Sequence, residues 1–143
     1  MDKAHVRLFA SSDEADLIRL WTRCELTTPA NDPADAIARK VRHDRDGLLV
    51  AEVQNGLVGS VMIGYEGRRG WINYLAVDPS WRRRGLGRML METAESRLNA
   101  QGCPKINLQV RSSNQSVIAF YAELGYAVDD CISLGKRLGA RAG

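Results

Sequence analysis

From Trp71 to Ala100 the chain reads WINYLAVDPSWRRRGLGRMLMETAESRLNA. A strand-like apolar run passes through three consecutive arginines and a Gly-x-Gly straight into an amphipathic helix. Like charges crowd one another, and each glycine weakens a helix by roughly 0.5–1 kcal/mol relative to alanine. A sequence that accepts both costs at one point implies an anion to be held there. The first turn of a helix has backbone N–H groups without intrahelical partners, and its aligned dipoles leave about half a positive charge. Gly85 and Gly87 would let a phosphate approach those amides, and Arg82, Arg83, Arg84 and Arg88 add charge at the rim. The turn is not G-x-x-x-x-G-K-[ST], so a nucleoside-triphosphate loop is unsupported. Neither a third glycine near Leu90 nor a following acidic residue completes a dinucleotide fingerprint.

The rest of the chain fits a single α/β domain over residues 1–143, long enough to bury a core. HVRLFA reads as a first strand. SSDEADLIRLWTRCEL carries a capping-box pattern, Ser11 with Glu14, and then Leu17, Leu20, Trp21 and Cys24 at helical spacing. NDPADAIARKV starts a second helix with Asp32 as N-cap and Pro33 at its first position. GLLVAEV and LVGSVMIGY form a hairpin through Asn55-Gly56, and EGRRG is a second tight connection. After the basic turn, Leu86, Met89, Leu90, Ala94 and Leu98 share a helix face that Gly102 ends. KINLQV is a strand, NQSVIAFYAEL a helix closed by Gly125, and YAVDDCISLGKRL one or two final strands.

Composition excludes several classes. A net charge of +3 does not by itself imply nucleic-acid binding, and the arginines lack interleaved aromatics. Cys24, Cys103 and Cys131 are widely spaced and odd in number, and with only His5 and His43 no metal site is expected. No apolar leader or spanning segment is present, so a cytoplasmic protein with no membrane partner is expected.

RRRGLG matches the Arg/Gln-x-x-Gly-x-Gly/Ala motif of the GNAT (Gcn5-related) N-acetyltransferases. The stretch NQSVIAFYAELGY resembles that family's Asn-x-x-Ala-x-x-x-Tyr-x-x-x-Gly-Phe/Tyr segment, with Asn114, Tyr121, Gly125 and Tyr126 in place and Val117 for the common alanine. NDPADAIARKVRHD, GYEGRRG and SLGKRL further resemble the small bacterial YpeA-type members. The resemblance covers nearly the whole chain. It implies a mixed central sheet of six to seven strands flanked by about four helices and splayed between the fourth and fifth strands.

It also implies acetyl transfer from acetyl-CoA to the primary amine of a small molecule, protein or peptide, by a monomer or homodimer. The pyrophosphate would lie on the amides of Gly85, Leu86 and Gly87 among Arg82, Arg83, Arg84 and Arg88. Pantetheine would pair with the backbone of Leu75, Ala76 and Val77, whose N–H groups would face the reacting oxygen. Tyr121 matches the general acid for the leaving thiolate, although its place on an apolar face equally suits a core tyrosine. Asn114 is a cofactor contact or a helix cap. No base is evident; Glu66 is the candidate nearest in sequence, and Tyr65, Arg68, Arg69 and Tyr74 are candidates for the acceptor side. Gln109 stands where the ribosomal-protein N-terminal acetyltransferases often carry a glutamate, which weakens that acceptor class in particular. A non-catalytic acyl-CoA-binding or regulatory module stays open as the alternative.

Overall fold

The computed structural model describes residues 3–54 and 56–139, which divide into two compact units at Gln109/Val110. The first unit is a five-stranded sheet in the order β1 (His5–Leu8), β2 (Leu48–Val53), β3 (Gly56–Tyr65), β4 (Gly70–Val77), β5 (Ile106–Leu108). Neighbours are antiparallel as far as β4, and β4–β5 is parallel. The parallel pair needs a crossover, which α3 (Leu86–Ala100) supplies. α1 (Glu14–Arg23) and α2 (Pro33–His43) precede β2.

β2 shows why this sheet is closed on both faces. Leu48, Leu49, Val50 and Ala51 are all fully buried, although alternate residues of a strand point to opposite sides. Leu48 and Val50 join Leu17, Leu20 and Trp21 of α1 and Ile37 of α2 in one cluster, so Leu49 and Ala51 face the other side. α3 packs against β3 and β4 through Leu86, Leu90, Met91, Ala94 and Leu98. Met91 takes the buried place expected of Met89, which is only half-buried. At Gly59 a Cβ would stand 2.9 Å from Leu90 Cδ1 and 3.2 Å from Leu86 Cδ2. The missing side chain therefore lets the first turns of α3 lie close on β3.

Asp32 and Pro33 start α2 as expected, with Asp32 accepting from the Ala34 N–H at 3.1 Å. β2 and β3 form the expected antiparallel pair; Asn55 lies outside the described residues. The expected cap is corrected. Ser11 and Glu14 do not cap α1: Ser11–Asp13 form a 3-10 turn, and Asp13 takes the Ala10 N–H at 2.8 Å. Asp13 prevails because Arg7 holds it at 2.7 and 2.9 Å.

The second unit carries α4 (Gln115–Glu123), the fourth α-helix among the described residues. The sheet has five strands where six to seven were expected, because 127–139 contains no strand. Val128, Ile132, Leu134 and Leu138 are exposed there, and the short bond from Cys131 N–H to Asp129 O bends the chain locally. Among the described residues no helix is long and apolar enough to cross a membrane, and no group of His, Cys, Asp and Glu could hold a metal ion.

Candidate active site

β4 leaves β5 early. The two pair only from Gly70↔Ile106 to Ile72↔Leu108, so Asn73–Val77 runs on without a β5 partner. The break coincides with a bulge. Ser60 pairs with Ala76 and Met62 with Asn73, so Tyr74 and Leu75 together oppose Val61. Tyr74 sits at φ 51°, a left-handed conformation uncommon for a bulky residue. A bulge bends its strand and increases the local twist, and the residues it redirects are Leu75, Ala76 and Val77.

Val77 leads through Asp78 into the basic turn. Asp78 accepts from the N–H and hydroxyl of Ser80 at 2.9 and 2.8 Å and pairs with Arg23 at 2.8 Å. Partial burial pushes its carboxyl up, but these donors outweigh that and hold it below the usual range. Cys24, just past α1, donates its thiol to Val77 O at 3.3 Å. Burial pushes that thiol up against the opposing pull of Arg82. The end of β4 is thus tied to the end of α1.

The turn changes direction with Arg83 at φ 66° and Gly85 at φ 80°. Gly85 is the N-cap of α3 and supplies no side chain to its amides. A Cβ there would meet nothing within 4 Å, so Gly85 itself is not crowded by other described side chains. Arg82, Arg83, Arg84 and Arg88 are exposed while Leu86 is buried and anchors the helix. The Arg84 guanidinium lies 4.8 Å from the Trp81 ring centroid, which holds one cation beside the helix start. An open helix N-terminus with this rim suits a phosphate group. No other described helix start combines an uncapped glycine with such a cluster of arginines.

Glu66 is not brought to this turn. It lies before β4, whose eight residues separate it from Val77 by about 25 Å of extended chain. Its carboxylate accepts from the N–H groups of Arg68 and Arg69 at 2.6 and 3.2 Å. Those bonds hold it below the usual range, opposite to what a base needs. Tyr65, Arg68 and Arg69 share that far end, and the Tyr65 hydroxyl reaches Gly102 O at 3.5 Å. Tyr74 alone of the acceptor-side candidates stands at the diverging part of β4.

In the second unit, Asn114 caps α4 and accepts from Val117 N–H at 3.3 Å. Tyr121 is the buried residue of that helix, packed edge-on against Phe120 and Tyr126 at 5.1 and 5.7 Å. Burial pushes its hydroxyl up to about 12, so it stays protonated throughout the neutral range.

Sequence reasoning missed Trp21 and Ser60. Trp21 reads as a core residue of α1 and Ser60 as an unremarked strand position. Ser60 is fully buried, accepts from Trp21 Nε1 at 2.9 Å and donates to Tyr74 O at 2.9 Å. A polar residue between two valines of a buried strand, Val58 to Val61, is the only trace in the sequence.

Residues 13–126 match the acetyltransferase (GNAT) family. The chain is 50% identical over 133 residues to an acetyltransferase of Pectobacterium atrosepticum, covering 93% of this chain and 94% of that one. It is 48% identical over 134 residues to an acetyltransferase of Sodalis glossinidius, with the same coverage. Among solved structures, Ard1 from Thermoplasma volcanium is similar with a TM-score of 0.79 at 26% identity, over 88% of this chain and 84% of that one. The PaiA N-acetyltransferase of Thermoplasma acidophilum in complex with coenzyme A aligns with a TM-score of 0.76 at 18% identity, over 91% and 93%, a likeness of fold.

Proposed function

The chain belongs to the acetyltransferase (GNAT) family, and from that premise we propose that it moves an acetyl group from acetyl-CoA to a primary amine. The observation that carries this reading is the left-handed, uncapped Gly85 opening α3 one turn beyond the part of β4 that β5 does not pair. The residues fit the donor. An N-cap without a side chain leaves the amides of Leu86 and Gly87 to receive a pyrophosphate, which Arg82, Arg83, Arg84 and Arg88 would neutralise. Leu75, Ala76 and Val77 present backbone groups that a pantetheine arm can join as an added strand.

Acetyl-CoA, when bound, supplies an activated thioester acetyl group. The chain orients it against β4 and offers N–H groups where charge grows on the thioester oxygen. Tyr121 carries a proton for the departing sulfur. With its hydroxyl pushed up to about 12, it donates a hydrogen bond more readily than a whole proton, since a thiol ordinarily titrates near 8.5. The amine must be neutral to attack, and alkyl amines are mostly charged at pH 7. Glu66 takes no part in this reading; the proton leaves through water.

Two measurements test the proposal. Calorimetry follows CoA and acetyl-CoA binding, and thiol release follows turnover against lysine, spermidine, an aminoglycoside and a peptide with a free N-terminus. Micromolar binding with release stimulated by at least one amine is expected. Folded protein that binds no CoA would remove the reading. Binding without turnover on any amine would instead favour an acyl-CoA-binding module.

A further inference from the structure

Tyr74 poses a physical problem: a bulky residue is held at φ 51° in the middle of a strand. Such conformations persist only where the surroundings over-determine them. Here the surroundings are two fully buried side chains from other elements. Trp21 of α1 stacks on the Tyr74 ring, centroids 3.9 Å apart and planes 15° from parallel. Its Nε1 donates to Ser60 Oγ. An indole nitrogen can only donate, so that bond uses a lone pair of the hydroxyl and leaves its proton for Tyr74 O at 2.9 Å. The bond runs in one direction, from α1 through β3 to the bulged peptide of β4. It fixes the carbonyl of the residue immediately before Leu75.

We propose that Ser60 and Trp21 are positioning residues for acetyl transfer: acting through Tyr74, they set the direction in which the Leu75–Val77 backbone faces the donor. This rests on the acetyl-transfer reading above. Neither side chain touches the reacting atoms. Without the hydroxyl, the Trp21 N–H and the Tyr74 carbonyl both lose their buried partner, and the strained peptide is free to relax toward ordinary strand geometry. The β3–β4 register would then shift and the N–H groups of Leu75–Val77 would lose their aim. The phosphate turn at Gly85 does not depend on this link, so donor affinity, which also draws on the Leu75–Val77 backbone, should fall less than turnover.

The test compares full-length wild type, Ser60→Ala, Trp21→Phe and the hydroxyl-retaining Ser60→Thr. Backbone amide hydrogen exchange is followed along β2, β3 and β4 in the free protein. CoA affinity is measured by calorimetry, and turnover uses acetyl-CoA with the fastest amine of the panel above. In Ser60→Ala and Trp21→Phe, exchange at Tyr74–Val77 should rise selectively and kcat should fall about 10-fold, below the about 10²–10³-fold loss from deleting an oxyanion donor outright. The CoA dissociation constant should rise by a smaller factor than kcat falls, and Ser60→Thr should recover most of the turnover. Exchange that rises evenly along β2, β3 and β4, or wild-type turnover in a folded Ser60→Ala, overturns the clamp and leaves the acetyl-transfer reading standing. A wild type that neither binds CoA nor turns over removes both.

Discussion

Gly85 and Gly102 allow the phosphate turn to be tested against an internal control. They flank the same helix, α3, at φ 80° and 86°, and a Cβ at either position would meet nothing within 4 Å. Alanine at each site therefore costs the left-handed backbone penalty and little else, about 1–2 kcal/mol. For a chain of this size that lowers Tm by roughly 3–6 °C. Their ligand roles should differ completely. If the pyrophosphate rests on the Leu86 and Gly87 amides, a methyl group at Gly85 crowds it, and losing one charge-assisted hydrogen bond at about 1.5–3 kcal/mol weakens CoA binding by roughly 10–160-fold, two by correspondingly more. Gly102→Ala should leave the CoA dissociation constant unchanged. The assay is calorimetry with CoA alongside thermal melts of the three proteins, and turnover with acetyl-pantetheine, which carries no pyrophosphate. Gly85→Ala should use that truncated donor as well as wild type does. Equal CoA affinity in the two variants, or an equal loss on both donors, would refute an amide-bound pyrophosphate at this turn.

Tyr121→Phe should lower kcat by about 10²-fold, the lower end for general acid catalysis, with CoA affinity and Tm nearly unchanged; unchanged turnover per folded molecule would make Tyr121 a core residue only. Because its hydroxyl titrates only near about 12, rates should rise with pH as the amine deprotonates and show no falling limb between pH 7 and roughly 10; a descending limb in that window that Tyr121→Phe abolishes would contradict this. Replacing Arg83 by alanine should weaken CoA binding less than Gly85→Ala and reduce its salt dependence, since an exposed arginine contributes charge that ions screen; salt-independent binding would count against it. Asp13, held below the usual carboxylate range first by Arg7, contributes stability that is present above the unfolded value near 3.9 and is lost as pH falls through the lower folded value. Asp13→Asn should therefore cost about 1–2 kcal/mol at neutral pH, because Arg7 keeps Glu52 at 2.7 Å and some contact with water, and should flatten the acid limb of a Tm-against-pH series.

What could be read from the sequence was whatever depends on neighbours along the chain. The basic turn is local: strand, arginines, glycines and helix follow one another, and the left-handed Gly85 sits within the Gly-x-Gly. Asp32 and Pro33 opened α2 for the same reason. The bulge at Tyr74 was not legible, because tyrosine favours extended geometry and its departure is imposed by Trp21 and Ser60 from distant segments. The start of α1 misled in a similar way. Ser11 and Glu14 have the spacing of a capping box, but Asp13 is fixed by Arg7 across the chain, and that ion pair decides where the helix begins. Glu66 is near the site in sequence, and an extended β4 turns such proximity into distance. Alternation in YAVDDCISLGKRL predicts strand, yet strand formation depends on tertiary pairing, and none forms over 127–139.

Backbone strain gives an argument for the site that owes nothing to resemblance. Among the described residues, the non-glycine positions with positive φ are Glu25, Tyr74 and Arg83. Strain of this kind is retained chiefly where function requires a geometry that propensity opposes. Tyr74 immediately precedes Leu75–Val77, and Arg83 lies in the turn that follows them. Glu25 closes α1 directly after Cys24, whose thiol meets Val77 O, and two residues after Arg23, which pairs with Asp78. In a helix-closing position glycine is usual, so a glutamate there adds to a cost that glycine would have avoided. All three distortions bear on the last residues of β4, and none falls in the regular parts of α2 or α3. A strand kept purely for its core would be expected to shed them, since Ala76 alone of Leu75–Val77 is fully enclosed. The simplest physical reason to keep them is that the backbone of Leu75–Val77, facing no β5 partner, must hold a fixed direction for something that is not part of the chain.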